Sequence, residues 1–313
     1  MPQAASDEPV LLALRALHLG DLLAAVPALR ALRRAWPAHR LVLAAPAGLA
    51  PIAELIGGIG EVWPTGEDLL WSVAPPGADI AVNLHGKGPR SHRLLDRLSP
   101  RQRIGYAAPG WSGPRWQEGL HERDRWCALL RAHSIAADPG DLRLCPPGAS
   151  GRPGAVVLNP GATYGSRRWP LPRFSAVAAA LAKAGYDVVV TGTAAERDRT
   201  RALAELAGLP ESSVLAGRTG VLDIAALVAD ARLVISTDSG IAHLSYAYAT
   251  PSVVLFGPAP ISEWGPPEGG PHRALTSSHP RGDPFADTTD PALLGVSITD
   301  VIVAADELLR VSR

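Results

Sequence analysis

Apolar positions along the chain fall into two patterns. Some form short unbroken runs. Others recur every three to four residues over longer stretches. A run of four or five apolar residues suits a strand buried on both faces, and the longer period suits a helix with one buried stripe. On this basis strands are expected at 10–14, 41–44, 61–63, 79–84 and 103–105, then at 155–158, 187–191, 233–236 and 252–256. Helices are expected at 21–35, 174–184, 196–207, 222–229, 241–249 and 299–309. The first helix carries Leu22, Val26, Leu29 and Leu32 on one stripe, with Asp21 where an N-cap belongs. Pro27 lies deep enough to predict a kink or a restart. Gly57, Gly58 and Gly60 follow a helical pattern, so they read as a helix C-terminus and not as a dinucleotide-binding turn.

Strands alternating with helices predict an α/β fold of two doubly wound parallel-sheet, Rossmann-like domains. The composition of CPPGASGRPG at 145–154 marks a linker. It separates a domain at 1–148 from one at 149–298, with 299–313 a C-terminal helix able to pack back on the first domain. The Pro-, Gly- and Asp-rich stretch 262–290 reads as an irregular loop. Ligands of such sheets bind at the carboxyl ends of the strands, so two facing sheets place a cleft between them.

Charge and cysteine content narrow the partners. Lys plus Arg and Asp plus Glu are 30 each, which gives no argument for a nucleic-acid partner. Cys127 and Cys145 have neither metal spacing nor a disulfide framework, which fits a reducing cytosol. The polar start, 1–9, has no signal-peptide pattern, and no 18-residue apolar run predicts a spanning helix. The nine histidines form no convincing metal set.

Five loops could carry chemistry. In LVISTDSGIAHLSYA, Thr237, Asp238, Ser239 and Gly240 form a turn between strand and helix, with His243 one turn in. The first turn of a helix offers unpaired N–H groups and a positive dipole end, which suit a phosphate. The alternative is a plain N-cap and a packed polar histidine. NPGATYGSRRWPLPRF follows a strand and brings Thr163, Arg167 and Arg168; a guanidinium fork suits a diphosphate, and a solvated Arg pair is the alternative. LHLGDLLAAVPAL places Gly20 and Asp21 at a sheet's carboxyl edge. There a carboxylate can accept a proton, or simply cap the helix. Thr193 and Glu196 stand at another strand-to-helix turn, where a carboxylate can bind ribose hydroxyls or favour the first turn by charge. Finally, Lys87, Arg90, Arg93, Arg97, Arg101 and Arg103 face only Asp96 within 85–103. They could meet an anionic acceptor or line a solvated face.

With these loops in place, the chain resembles the heptosyltransferase family, glycosyltransferase family 9, of GT-B architecture. The resemblance rests on six segments in register: LHLGDLLAAVPALRAL, RIGY at 103–106, NPGATYGSRRWP, VVVTGTAAERDR at 188–199, ISTDSGIAHL at 235–244 and LFGPAPISEWGP at 255–266. It implies metal-independent, inverting transfer from a nucleotide sugar, with ADP-heptose the usual donor and no further cofactor. Asp21 would be the general base. Arg167 would stand where the family usually has Lys, which keeps the charge and changes the geometry. Glu196 would hold the ribose. Asp238, Ser239, Gly240 and His243 would match the family's Asp-Ser/Thr-Gly-x-x-His donor motif, and Gly257 and Pro258 would border the base. Gly20, Lys87, Arg90 and Arg93 are weaker candidates for the acceptor, which is a glycan, a lipid-linked or lipopolysaccharide-like sugar, or a small molecule. High Ala, Pro and Arg suggest a GC-rich bacterial genome. A cytoplasmic protein, in peripheral contact with the inner membrane through 87–103, Trp111 and Trp116, is the expected setting. A nucleotide-sugar epimerase, another GT-B transferase and a non-catalytic nucleotide-sugar-binding protein are the competing readings.

Overall fold

The computed structural model describes residues 8–71, 73–278 and 281–311. Most of the polar start, 1–7, lies outside them. The chain divides into two compact units, Met1–Cys145 and Pro146–Arg313. The break falls at the start of the expected linker. Segment 146–154 has no regular structure, and Asp230 pins it by accepting from the Ser150 N–H at 2.8 Å.

In the first unit, β1 (Val10–Leu14) leads into α1 (Leu19–Ala35), followed by β2 (Arg40–Ala45), α2 (Ala50–Ile56), β3 (Glu61–Pro64) and β4 (Ile80–Asn83). Then come α3 (Arg90–Asp96), β5 (Gln102–Ile104) and α4 (Glu122–Ala132). The strands make one parallel sheet in the order β3-β2-β1-β4-β5. β1 is central and buried along its length, which is why its sequence is a continuous apolar run. α1 starts two residues before the expected point, at the N-cap His18, so Asp21 is a first-turn residue and not the cap. The helix runs on through a buried Pro27, and the expected restart does not occur. Gly57 ends α2 at φ +79°, the left-handed conformation that favours glycine. α2 is the helical pattern expected to end at Gly57, whereas α3 and α4 have no assigned bounds in the sequence, although Arg90, Arg93 and Arg97 carry helical spacing.

The second unit contains β6 (Val156–Asn159), α5 (Leu171–Lys183), β7 (Val188–Val190), α6 (Arg197–Ala207), α7 (Val221–Ala229) and β8 (Leu233–Thr237). It continues with α8 (Gly240–Tyr248), β9 (Ser252–Leu255), α9 (Ile261–Trp264), β10 (His272–Leu275), α10 (Pro291–Leu294) and α11 (Ile298–Val311). Its parallel sheet has the order β10-β9-β8-β6-β7. The stretch 262–290, expected to be irregular, contains β10. This edge strand buries only His272, so no apolar run announces it. The sequence reading lets α11 return to the first domain. Its stripe, Val301, Ala304, Ala305, Leu308 and Leu309, is instead buried in the second unit's own core.

Trp169 organises that core. It is fully buried, meets Phe174 edge-on at 5.1 Å, and donates from Nε1 to the Val296 carbonyl at 3.1 Å. It thereby ties the loop after β6 to the segment before α11. Trp169→Ala should destabilise the second unit by about 3–5 kcal/mol, the range for large aromatic deletions in a core. Denaturant unfolding followed by tryptophan fluorescence checks this.

Candidate functional site

Each sheet reverses its strand order once: between β1 and β4 in the first unit, and between β6 and β8 in the second. At such a point the loops leaving neighbouring strands diverge and open a crevice at the carboxyl edge. The two clusters below sit at these reversals.

In the first unit Arg15 follows β1 directly and is 1% exposed. Its Nε donates to the Asp21 carbonyl at 3.0 Å, and its Nη1 donates to the Leu84 carbonyl, just past β4, at 2.7 Å. Its Nη2 lies 3.2 Å from Asp21 Oδ1 and 3.4 Å from Glu122 Oε1. The guanidinium lies over the Trp126 ring at 4.8 Å. Glu122, at the start of α4, also accepts from Arg125 Nε at 2.8 Å. Arg125 stacks over Trp116 at 4.1 Å and donates to the carbonyls of Gln117 and Leu120. Buried charges cost several kcal/mol each unless paired and hydrogen-bonded, and here they alternate in sign along a chain. The Asp21 side chain is 23% exposed at the end of this chain. His85, just past β4, has its pKa lowered to about 4, first by burial and then by Arg15 and Arg90.

The basic run is largely spent on the unit's own surface. Lys87 faces Glu118 at 3.5 Å, Arg101 faces Asp79 at 3.7 Å, Arg103 binds Asp96 at 2.8 Å, and Arg90 donates to the Asp68 carbonyl. Arg93 is exposed on α3, and Gly20 lies in the first turn of α1. Arg15 and Glu122 are the site residues that sequence reasoning missed. Arg15 falls one residue past the expected strand 10–14, and α4 has no assigned element in the sequence. The pattern Trp126, Leu129, Leu130 behind Glu122 was the available signal.

In the second unit Arg167 ends the short turn Gly165–Arg167 after β6, and its Nη1 lies 3.5 Å from Asp238 Oδ2 after β8. Asp238 is buried. Ser239 is the N-cap of α8, yet its side chain makes no capping hydrogen bond. The Thr237 and Ser239 hydroxyls, with Ser166 Oγ and Arg167 Nε, are buried and lack a hydrogen-bond partner among the described residues. Unmet buried donors at a helix start, beside a guanidinium, make a receptor for an anion. Gly240 opens α8 without a side chain to obstruct that approach. His243 is 5% exposed and meets Tyr246 at 5.3 Å and Trp264 at 5.9 Å edge-on, so its ring is packed among aromatics.

Other expected residues border this cluster or brace it. Arg168 turns back on its own loop, donating to the carbonyls of Ala162 at 2.9 Å and Thr163 at 3.3 Å, and so stiffens the turn that carries Arg167. Glu196 Oε2 accepts from the Thr193 N–H at 2.8 Å and hydroxyl at 3.0 Å, closing a capping box. The same carboxylate stands over the β6 loop, because a Cβ on Gly161 would fall 2.3 Å from Glu196 Oε1. Gly257 lies against Ser166, whose N–H donates to the Ala286 carbonyl at 2.8 Å. The Pro258 carbonyl accepts from Gly282 at 3.1 Å. Ser166 lies inside the motif NPGATYGSRRWP without being singled out there, and the segment around Ala286 falls in the stretch 262–290 expected to be an irregular loop.

Comparison with known proteins bears on the fold and, in sequence, on the stretch that carries the second cluster. Residues 125–277 match the model of glycosyltransferase family 9 (heptosyltransferase). Lipopolysaccharide heptosyltransferase 3 of Escherichia coli is 32% identical over 164 residues, which are 49% of this chain and 46% of that protein. The matched part thus spans about half of that relative. Among solved structures, a glycosyl transferase family 9 protein from Veillonella parvula superposes with a TM-score of 0.81 at 21% identity, covering 98% of this chain and 99% of its own. The E. coli ADP-heptose lps heptosyltransferase II superposes with a TM-score of 0.75 at 20% identity, covering 96% and 98%. The family match covers just under half of the chain, and the solved structures share its two-sheet α/β fold.

His85 gives the first cluster a measurable signature. Its folded pKa is depressed, so between its ordinary value of 6.5 and about 4 the unfolded chain binds the extra proton. Its contribution to stability is present above pH 6.5 and is lost as pH falls toward 4. His85→Gln should therefore flatten the dependence of the urea midpoint on pH across that window.

Proposed function

We propose that the protein is an inverting glycosyltransferase that moves a heptose from ADP-heptose to an acceptor hydroxyl. The observation that carries this reading is the set of unmet buried donors, Thr237, Ser239 and Arg167 Nε, at the start of α8. Arg167, the Thr237 and Ser239 hydroxyls and the α8 backbone N–H groups would hold the diphosphate. Glu196 would meet the ribose, Asp238 the sugar, and Gly257 and Pro258 would flank the base. Asp21 would take the proton from the acceptor hydroxyl as its oxygen bonds to the anomeric carbon and the bond to the diphosphate breaks. ADP then departs with its developing charge held by Arg167 and the helix start, preorganised groups that strengthen as charge grows. The family match over 125–277 supports the donor half of this assignment.

The acceptor is a glycan or a small molecule with a reactive hydroxyl. Lys87, Arg90, Arg101 and Arg103 have partners within the unit, Lys87 and Arg101 in exposed pairs that an anionic acceptor could replace. No helix among the described residues is long and apolar enough to cross a membrane. The reading places the enzyme in the cytoplasm, with any membrane contact peripheral. The leaving-group charge is assigned to protein groups, so chelation with EDTA should leave turnover unchanged.

Asp21→Asn should lower kcat by about a thousandfold or more, within the scale of lost general-base catalysis, while donor KM changes little. Release of ADP in the presence of an acceptor panel measures both. Conversion of the donor sugar without any acceptor would instead indicate an epimerase, and retained turnover in Asp21→Asn would remove Asp21 from the mechanism.

A further inference from the structure

We propose that Arg15 is the positioning residue that keeps the Asp21 carboxylate ionised and oriented, and that Glu122 sets how strongly it does so. The inference rests on Asp21 acting as the proton acceptor in the reading above. It starts from one shared donor: Arg15 Nη2 lies 3.2 Å from Asp21 Oδ1 and 3.4 Å from Glu122 Oε1. Two carboxylates therefore compete for one nitrogen. The guanidinium cannot swing toward either. Nη1 is fixed on the Leu84 carbonyl, Nε on the Asp21 carbonyl, and the plane rests over Trp126. Glu122 is fixed in turn by Arg125 at 2.8 Å, and Arg125 by Trp116 and two carbonyls.

A full positive charge at this distance, almost out of water, favours the ionised form of a carboxylate. The neighbouring Glu122 charge acts in the opposite sense. Other ionisable groups surround the pair. His85 follows β4 and feels Arg15 and Arg90. His18 caps α1 and pairs with Glu67 at 3.1 Å on the exposed side. Arg125 lies beyond Glu122. His85 is neutral above pH 5, because its pKa is about 4, so between pH 5 and 8 it adds no charge beside Arg15, which pairs with Asp21 and shares the same nitrogen with Glu122. A base works only when deprotonated, so activity falls on the acid side through the Asp21 pKa. Weakening Arg15 raises that limb, and neutralising Glu122 lowers it.

The test is the pH profile of kcat/KM for the full chain in Arg15→Gln, Arg15→Lys and Glu122→Gln, with Asp21→Asn as reference. Arg15→Gln should move the acid limb up by about one pH unit, Arg15→Lys should return it most of the way, and Glu122→Gln should move it down. Donor KM should stay constant in all three. A purely structural role would lower the plateau without opposite displacements of the limb. If Arg15→Gln does not fold, Glu122→Gln decides alone: a downward shift supports the proposal, and an unmoved or raised limb overturns it. An inactive Asp21→Asn with unmoved limbs overturns the Arg15 proposal only. An active Asp21→Asn overturns the assignment of the base itself, and this proposal with it.

Discussion

Everything that could do chemistry in this protein depends on one constraint of parallel sheets. A strand order that reverses forces adjacent loops apart at the carboxyl edge. β1 and β4 do this in one unit, β6 and β8 in the other. Each gap is bridged by an arginine. Arg15 spans from β1 to the Leu84 carbonyl, and Arg167 from the β6 loop to Asp238 after β8. A guanidinium suits this place, because its donors diverge in a fixed plane and it stays charged when buried.

The two arginines differ in how completely they are satisfied. Arg15 meets two carbonyls and two carboxylates and is sealed from water. That is the arrangement of a fixed electrostatic support. Arg167 keeps a buried Nε without a partner among the described residues, beside similarly unmet hydroxyls. Unmet buried donors cost about 1–3 kcal/mol each, so such a cluster is retained where an anion satisfies it. One unit thus holds a carboxylate against a buried guanidinium, and the other holds a cluster of unmet buried donors suited to an anion.

Much of this was legible in the sequence. The continuous apolar runs of β1, β6 and β8 have one simple physical meaning, burial on both faces. The strand–turn–helix at 237–243 follows from Gly240 and the hydroxyls around it. What escaped the reading escaped for physical reasons. β10 is an edge strand with one buried residue, so it has no hydrophobic signature. α4 begins with four charged residues, and a local pattern cannot show that the first of them, Glu122, meets Arg15 across 107 positions. Arg168 and Arg167 are chemically alike, and only the fold of the loop separates the one that braces its own turn from the one that faces Asp238. The N-cap alternative for Asp21 also needed the structure, since it turned on where α1 begins.

The central claim is that nucleotide recognition and proton abstraction are carried by different units. Calorimetric titration of ADP into the wild type, Asp21→Asn and the double substitution Thr237→Val with Ser239→Ala tests it most directly. The account predicts that Asp21→Asn binds ADP like the wild type, while the double variant, still folded, loses at least about tenfold in affinity, as expected when two hydrogen bonds to a charged ligand are removed. Unchanged ADP affinity in the double variant, or a comparable loss in Asp21→Asn, would contradict it.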